Sequence, residues 1–398
     1  MKKLYLLLVW IFGLFVQVQA AGKHYTVIVS LDGFRWDYPE MYDTPFLDSL
    51  GYNGVQAVMQ PSYPSKTFPN HYTLATGLYP DRHGIVANVF LDKCSGRIFS
   101  LADKQTKLDP YFYGGEPIWI TAKNQGVKVG VVYWPGSDVK VCGAYPDYYQ
   151  EYDKEPRLSF VERVAEIMRL LKLPEEIRPQ LIMAYFEQPD SNGHKYGPQD
   201  KRTRSVVEKM DCLLGELWNG IRELPYGADV NLIVTSDHGM AKLSPDRVVP
   251  IARYVKKEWT IGVDASVPAM IYTKEGCVDS IMSALKDVPH IRAWKKADIP
   301  AYLHYGTHEN IGDVVVEPDL GWLFTDDFGT SYGTHGYDST YNDMLVPFRA
   351  CGPDFKRGYI MKKLFPNVDI YSLLAYLLDI KPAVTDGRLD DIKEMLSD

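Results

Sequence analysis

Residues 25–32 read YTVIVSLD, a run of β-branched and apolar side chains that ends on a carboxylate. A continuous apolar run of this length is the pattern of a strand buried on both faces. Three later runs repeat it: KVGVVY at 128–133, LIMAYF at 181–186 and VNLIVT at 230–235. Helical patterns fit between and after them, at Thr44 to Tyr52, Phe160 to Leu171, Lys201 to Glu223 and Asn367 to Leu378. Strands alternating with helices predict an α/β layer fold, a mostly parallel central sheet flanked by helices on both faces. Asp32 follows the first strand, Glu187 to Asp190 the third, and Asp237-His238 the fourth. In open α/β sheets the ligand site lies outside the carboxyl ends of the strands, so these side chains are expected to converge.

With 398 residues, 46% hydrophobic and 24% charged, the chain has the balance of a folded globular protein. Residues 1–20 carry Lys2 and Lys3, an apolar run from Leu4 to Val18 and a Val18-Gln19-Ala20 end, which predicts a secretory signal cleaved after Ala20. The run is shorter than the roughly 20 residues of a bilayer span. An exported protein, periplasmic or secreted, with no membrane span after cleavage is the expectation. Loss of Lys2 and Lys3 takes the formal charge from -8 to -10, which disfavours a nucleic-acid-binding surface. Five cysteines at 94, 142, 212, 277 and 351 show no framework spacing, so their pairing stays open.

Residues 21–398 are expected to form one domain. Its core would be about 24–240 and 333–398, and the Pro- and Gly-bearing stretch of about 241–332 would be an inserted cap.

Asp190-Ser-Asn-Gly-His194, Asp237-His238-Gly239 and Gly333-Thr334-His335-Gly336 join Asp32 as candidate metal loci, because zinc accepts imidazole nitrogen and carboxylate oxygen. Singly, each has an ordinary reading: a turn residue, a solvated loop histidine, a helix cap. Jointly, their placement at separate strand ends argues for one cleft, with too many ligands for one tetrahedral ion and about enough for two. Two such ions, roughly 3.5–4 Å apart, would clamp the attacking and leaving oxygens of an in-line phosphoryl displacement. Thr67, in SYPSKTFPNHY at 62–72, lies just ahead of Pro69 at a helix entrance, where the dipole favours an anion. Its hydroxyl is a poor nucleophile until a base or metal lowers its pKa.

The segments SLDGFRWDY, PSKTFPNHYTLATGLYPDRHGIVANVF, WPGSD, FEQPDSNGHKYGP, TSDHGM and YGTHGYD resemble those of the nucleotide pyrophosphatase/phosphodiesterase family of the alkaline phosphatase superfamily. They cover about 25–340 in the family's order. The resemblance implies an alkaline-phosphatase-like fold and two Zn2+ ions, one held by Asp32, Thr67, Asp237 and His238, the other by Asp190, His194 and His335. It implies that Thr67 is the nucleophile, that Asn88 donates to a phosphate oxygen, and that Phe68 and Tyr185 sandwich a nucleobase. Tyr152 and Trp134 align less closely as further wall residues. The activity implied is zinc-dependent hydrolysis of phosphodiester and pyrophosphate bonds in nucleotides, releasing nucleoside 5'-monophosphates through a covalent threonine intermediate.

Two enzymatic alternatives use the same scaffold: a phosphate monoesterase, for which Lys66 is the only nearby extra cation, and a choline-lipid phosphodiesterase. Lys66 is as readily placed in solvent as in the site. A non-enzymatic exported ligand-binding protein is the alternative of another class. A P-loop and a CxPxR setting are absent, which disfavours Walker-type nucleotide hydrolysis and sulfatase chemistry. Leaving group and oligomeric state are not specified by these residues.

Overall fold

The computed structural model describes residues 23–326 and 328–397, so the expected leader at 1–20 lies outside the described residues. The first five strands of the central sheet are β1 (Tyr25–Leu31), β2 (Val55–Gln60), β3 (Val129–Val132), β4 (Leu181–Phe186) and β5 (Val230–Thr235). A separate antiparallel sheet follows, with β6 (Thr260–Asp264), β7 (Ala269–Thr273), β8 (Ile291–Lys295) and β9 (Val314–Pro318) in the order β8-β9-β7-β6. The chain then returns to the central sheet with β10 (Val346–Cys351), β11 (Tyr359–Ile360) and β12 (Phe365–Pro366). Central order is β11-β2-β10-β5-β1-β4-β3, with β12 also on β2.

The middle of that sheet is parallel: β1 pairs with β4 on one side and β5 on the other, and β3 joins β4. The departure from a parallel sheet is β10, which runs antiparallel between β2 and β5. Side chains alternate between two cores along each buried strand. Ile28, Met183 and Ile233 face one, while Val27, Val29, Ile182, Ala184, Leu232 and Val234 face the other. That two-residue alternation with both faces covered is why the sequence reads as unbroken apolar runs.

The longer helices are α1 (Pro45–Tyr52), α2 (Thr67–Thr76), α3 (Ile118–Asn124), α4 (Phe160–Leu171), α5 (Asp190–Tyr196), α6 (Lys201–Arg222), α7 (Val278–Leu285) and α8 (Asp369–Leu377). Helices α2, α3 and α8 supply the first core; α1, α4 and α6 supply the second. Start signals are met locally in two cases: Ser159 and Glu162 form a capping box on α4, and Asp200 accepts from Arg202 N at α6. Helix α1 differs. Thr44 makes no side-chain cap; the buried carboxylate of Asp211, from α6, accepts from the Phe46 and Leu47 amides at 3.0 and 2.8 Å. Its boundary is therefore set by a tertiary contact.

The 242–333 stretch begins and ends on one short ladder, in which Lys242 pairs with Gly333 and Ala241 with Thr334. Between those pairs lies the second sheet, with α7 packed on it. Among the described residues no helix is long and apolar enough to cross a membrane, and all five cysteines are free thiols.

Candidate functional site

Because β4, β1 and β5 are parallel neighbours, their carboxyl ends share one edge of the sheet. Asp32 follows β1, Asp237 and His238 follow β5, and α5 begins four residues beyond β4 with Asp190 and His194 one turn apart on the same face. The ladder continues into the site: Asp32 N donates to Phe186 O and Asp190 N to Asp32 O, both at 2.9 Å. Gly33 permits this closeness. It has φ +68°, and a Cβ there would stand 2.9 Å from Asp190 Cα. His335 arrives from the 333–334 ladder strand, where Gly333 passes so near Gly193 that a Cβ would sit 2.4 Å from its carbonyl oxygen.

Six side chains thus form two groups, Asp32/Asp237/His238 and Asp190/His194/His335, with the ligand atoms of each within 4.8 Å of one another. The groups adjoin: the rings of His238 and His335 stack with centroids 3.5 Å apart.

Their hydrogen bonding is one-sided. Nδ1 of His194, His238 and His335 lies 2.8 Å from a backbone carbonyl, of Gly333, Gly239 and Ser65 respectively. A carbonyl only accepts, so each Nδ1 carries the proton and each Nε2 is turned into the site. Facing them are Asp32 Oδ1, Asp237 Oδ2 and Asp190 Oδ1, three buried oxygens without a hydrogen-bond partner. His238 Nε2 lies 3.3 Å from Asp32 Oδ1 and 3.1 Å from Asp237 Oδ2; His194 and His335 Nε2 lie 3.4 and 3.7 Å from Asp190 Oδ1. Imidazole nitrogens and carboxylate oxygens converging at this range fit a positive charge between them, a proton on His238 Nε2 or a metal ion in its place. His71 differs: its Nδ1 is 2.9 Å from Thr67 O and its Nε2 2.8 Å from Ser30 Oγ, so both nitrogens are occupied.

Charge crowding is visible in the titration directions. Burial, then the neighbouring Asp237 carboxylate, pushes Asp32 up; burial, then Asp32, pushes Asp190 well up. Burial opposes ionisation of Asp237, but His238 and His71 outweigh it and hold it low. Burial also opposes a charge on His238, yet Asp237 and Asp32 hold it well above the usual imidazole range. Burial depresses His194 to about 4 and His335 well below its usual value, so these two are neutral at ordinary pH.

Thr67 is the first residue of α2, with Lys66 as the N-cap residue, and its Oγ1 lies 3.2 Å from His238 Nε2. The entrance is braced by Asn70, whose Nδ2 donates to Pro64 O and Lys66 O while its Oδ1 accepts from Ser62 N. Asn88 Oδ1 accepts from Phe68 N at 3.1 Å, which orients its amide and leaves Nδ2 for another acceptor.

A cavity of about 450 Å³ opens beside Thr67, lined by Phe68, Asn88, Trp134, Tyr152 and Tyr185 among others. Tyr185 is 6% exposed and Trp134 only 1%; the Trp134 indole N–H donates to His71 O, so Trp134 forms floor more than wall. Lys107 and Asp138, to which sequence reasoning gave no role, also line it, as does Glu187 from the end of β4. Asp138 sits inside WPGSD and Glu187 inside FEQPDSNGHKYGP, at the end of β4, which were signals; Lys107 has no comparable local pattern. Lys66 is not in solvent. It is 7% exposed, and its Nζ donates to Ser266 Oγ at 2.9 Å, beside a second cavity of about 350 Å³ that also touches Asn88, His194 and His335.

The family profile described as type I phosphodiesterase/nucleotide pyrophosphatase matches residues 26–338. A venom phosphodiesterase of Crotalus durissus collilineatus is 36% identical over 93% of this chain and 46% of its own length. Human ectonucleotide pyrophosphatase/phosphodiesterase family member 1 is 35% identical over 93% of this chain and 42% of its own. The chain thus spans about half the length of these relatives. Human family member 5 is 35% identical, with 93% of this chain and 78% of that one aligned. Among solved structures, murine ectonucleotide pyrophosphatase/phosphodiesterase 5, in an inactive threonine-to-alanine form complexed with AMP, superposes with a TM-score of 0.88 at 36% identity. That match covers 94% of this chain and 100% of the other.

Proposed function

The chain belongs to the type I phosphodiesterase/nucleotide pyrophosphatase family, and from that premise we propose that it hydrolyses phosphodiester and pyrophosphate bonds of nucleotides at the Thr67 site. The observation that carries the proposal is the arrangement of three imidazole Nε2 atoms, their Nδ1 protons spent on backbone carbonyls, opposite three carboxylate oxygens without partners. Asp32, Thr67, Asp237 and His238 would hold one zinc ion and Asp190, His194 and His335 the other. Bound zinc would supply Lewis acidity toward phosphoryl oxygens and lower the pKa of the Thr67 hydroxyl.

The protein's own part is positioning and proton placement. Thr67 Oγ1, at the entrance of α2, attacks phosphorus; the bond to the leaving oxygen breaks, and the phosphoryl group is carried as a threonine ester. Water then forms the new P–O bond from the vacated side as the P–Oγ1 bond breaks, and one water proton returns to Thr67 Oγ1 in place of the one that left with the departing group. Asn88 Nδ2, free because Oδ1 is engaged by Phe68 N, donates to a non-bridging oxygen as negative charge develops. Phe68 and Tyr185 present ring surface to the base of a nucleoside 5'-monophosphate unit, with Tyr152 beside them and Trp134 beneath. The AMP complex of the murine relative supports this substrate class. We read residues 241–332 as an inserted cap and place the protein outside the cytoplasm, in the periplasm or secreted, in keeping with its leader-like N-terminus and its venom relatives.

A phosphate monoesterase remains the second reading, favoured by one observation: Lys66 is buried next to Thr67 and lines a cavity together with Asn88, His194 and His335. Comparing hydrolysis of a nitrophenyl nucleotide diester with that of the matching nitrophenyl monoester separates them. Preference for the diester, abolished by Thr67→Ala, is expected; preference for the monoester overturns the proposal.

A further inference from the structure

Tyr185 stands between the two halves of the site. It lies on β4 opposite Ser30 of β1, and its ring lines the cavity that also holds Phe68 and Tyr152. The phenolic O–H reaches the other way and donates to Asp32 Oδ2 at 2.5 Å. Asp32 Oδ1, left without a hydrogen-bond partner, is the oxygen that faces His238 Nε2 at 3.3 Å. One side chain therefore shapes the cavity wall and decides which carboxylate oxygen is available to a cation.

Its own placement is rigid. The His71 ring meets it edge-on with centroids 4.9 Å apart, and the Tyr185 carbonyl accepts from Arg163 Nη1 at 2.9 Å. Arg163 is 1% exposed and is held by Glu187 at 2.5 Å.

We propose that Tyr185 is a positioning residue for the first metal group: its hydroxyl fixes the Asp32 carboxylate with Oδ2 occupied and Oδ1 presented as a single-oxygen ligand. The same ring contacts substrate on its cavity face. The inference rests on the two-zinc reading above but makes a separable claim, because removing the hydroxyl leaves the ring. Partners that orient a ligating group from behind are worth about 10- to 100-fold in metal affinity.

The test uses Tyr185→Phe on the full chain, with zinc affinities from chelator competition and adenosine affinity from calorimetry. Adenosine lacks phosphate and so reports the cavity wall without contacting metal. The expected result is a fall of about 10- to 100-fold in one of the two zinc affinities, with adenosine affinity within twofold of wild type and the loss in turnover appearing in kcat and not in KM. Unchanged zinc affinities, or loss of zinc and adenosine binding together as in a misfolded variant, overturn the inference. If the wild-type protein itself binds no zinc, the reading of the site fails instead, so the two failures are distinct.

Discussion

Thr67 Oγ1 lies 3.2 Å from His238 Nε2, and His238 is locked by its Nδ1 contact to the Gly239 carbonyl. The nucleophile candidate is thus at the metal group itself, with no separate base beside it. Thr67→Ala should lower turnover of a nucleotide diester by about 10⁴-fold or more, as loss of a nucleophile does elsewhere, while both zinc ions stay bound because six other ligands remain. Steady-state kinetics with metal analysis checks this; retained turnover would remove the covalent step.

Asn88 accepts from Phe68 N through Oδ1, so its amide is aimed by α2, the same helix that presents Thr67. Loss of one such donor costs about 10²- to 10³-fold in kcat. Asn88→Ala should show that loss with little change in KM, and Asn88→Asp should not restore the rate, since it can keep the acceptor but lacks the donor. An equal loss confined to KM would make Asn88 a ground-state contact.

Gly33 occupies φ +68° within 2.9 Å of Asp190 Cα. Gly33→Ala carries a cost of about 1–2 kcal/mol for the left-handed backbone alone, and its methyl group pushes Asp32 and Asp190 apart. Lower stability in urea and weaker zinc binding are expected together. A stable variant with unaltered zinc affinity would show that this close approach is dispensable.

Glu317 on β9 is fully buried, and its Oε1 accepts from Asp338 N at 2.8 Å and Arg292 Nη2 at 3.1 Å. Burial pushes its carboxyl from an ordinary 4.5 up to about 7, against the pull of Arg292 and the Asp338 amide. Between those values the folded protein keeps a proton that the unfolded chain has released. Stability from this group is therefore full at low pH and falls as pH rises through the window. Glu317→Gln removes the titration and should gain up to about 3 kcal/mol relative to wild type between pH 5 and pH 8, measured by urea unfolding. A pH-independent difference would contradict it.

The parts of the fold legible in sequence are those specified locally. Strands β1, β4 and β5 are buried on both faces and so read as apolar runs, and each is followed within a few residues by its site carboxylate. Strand β2 alternates buried and half-buried positions, and β10 runs antiparallel into a gap between β2 and β5; neither stands out as a parallel-sheet strand in sequence. The extent of α1 is legible at 44–52, but the group that caps it is not: it is Asp211, 164 residues from Leu47. In the site, Asp and His clusters announce themselves by type and spacing. The Tyr185 contact to Asp32, the burial of Lys66 on Ser266 and the double engagement of His71 depend on which strands lie side by side, which no local pattern records.

The most direct test of the two-metal site is the molar ratio of zinc to protein in the wild type and in His335→Ala, measured by mass spectrometry of the metal. Two zinc ions per wild-type chain, falling to one in the variant with loss of diester hydrolysis, is the expected result. A wild-type chain that binds one zinc ion or none while hydrolysing the diester at full rate would contradict it.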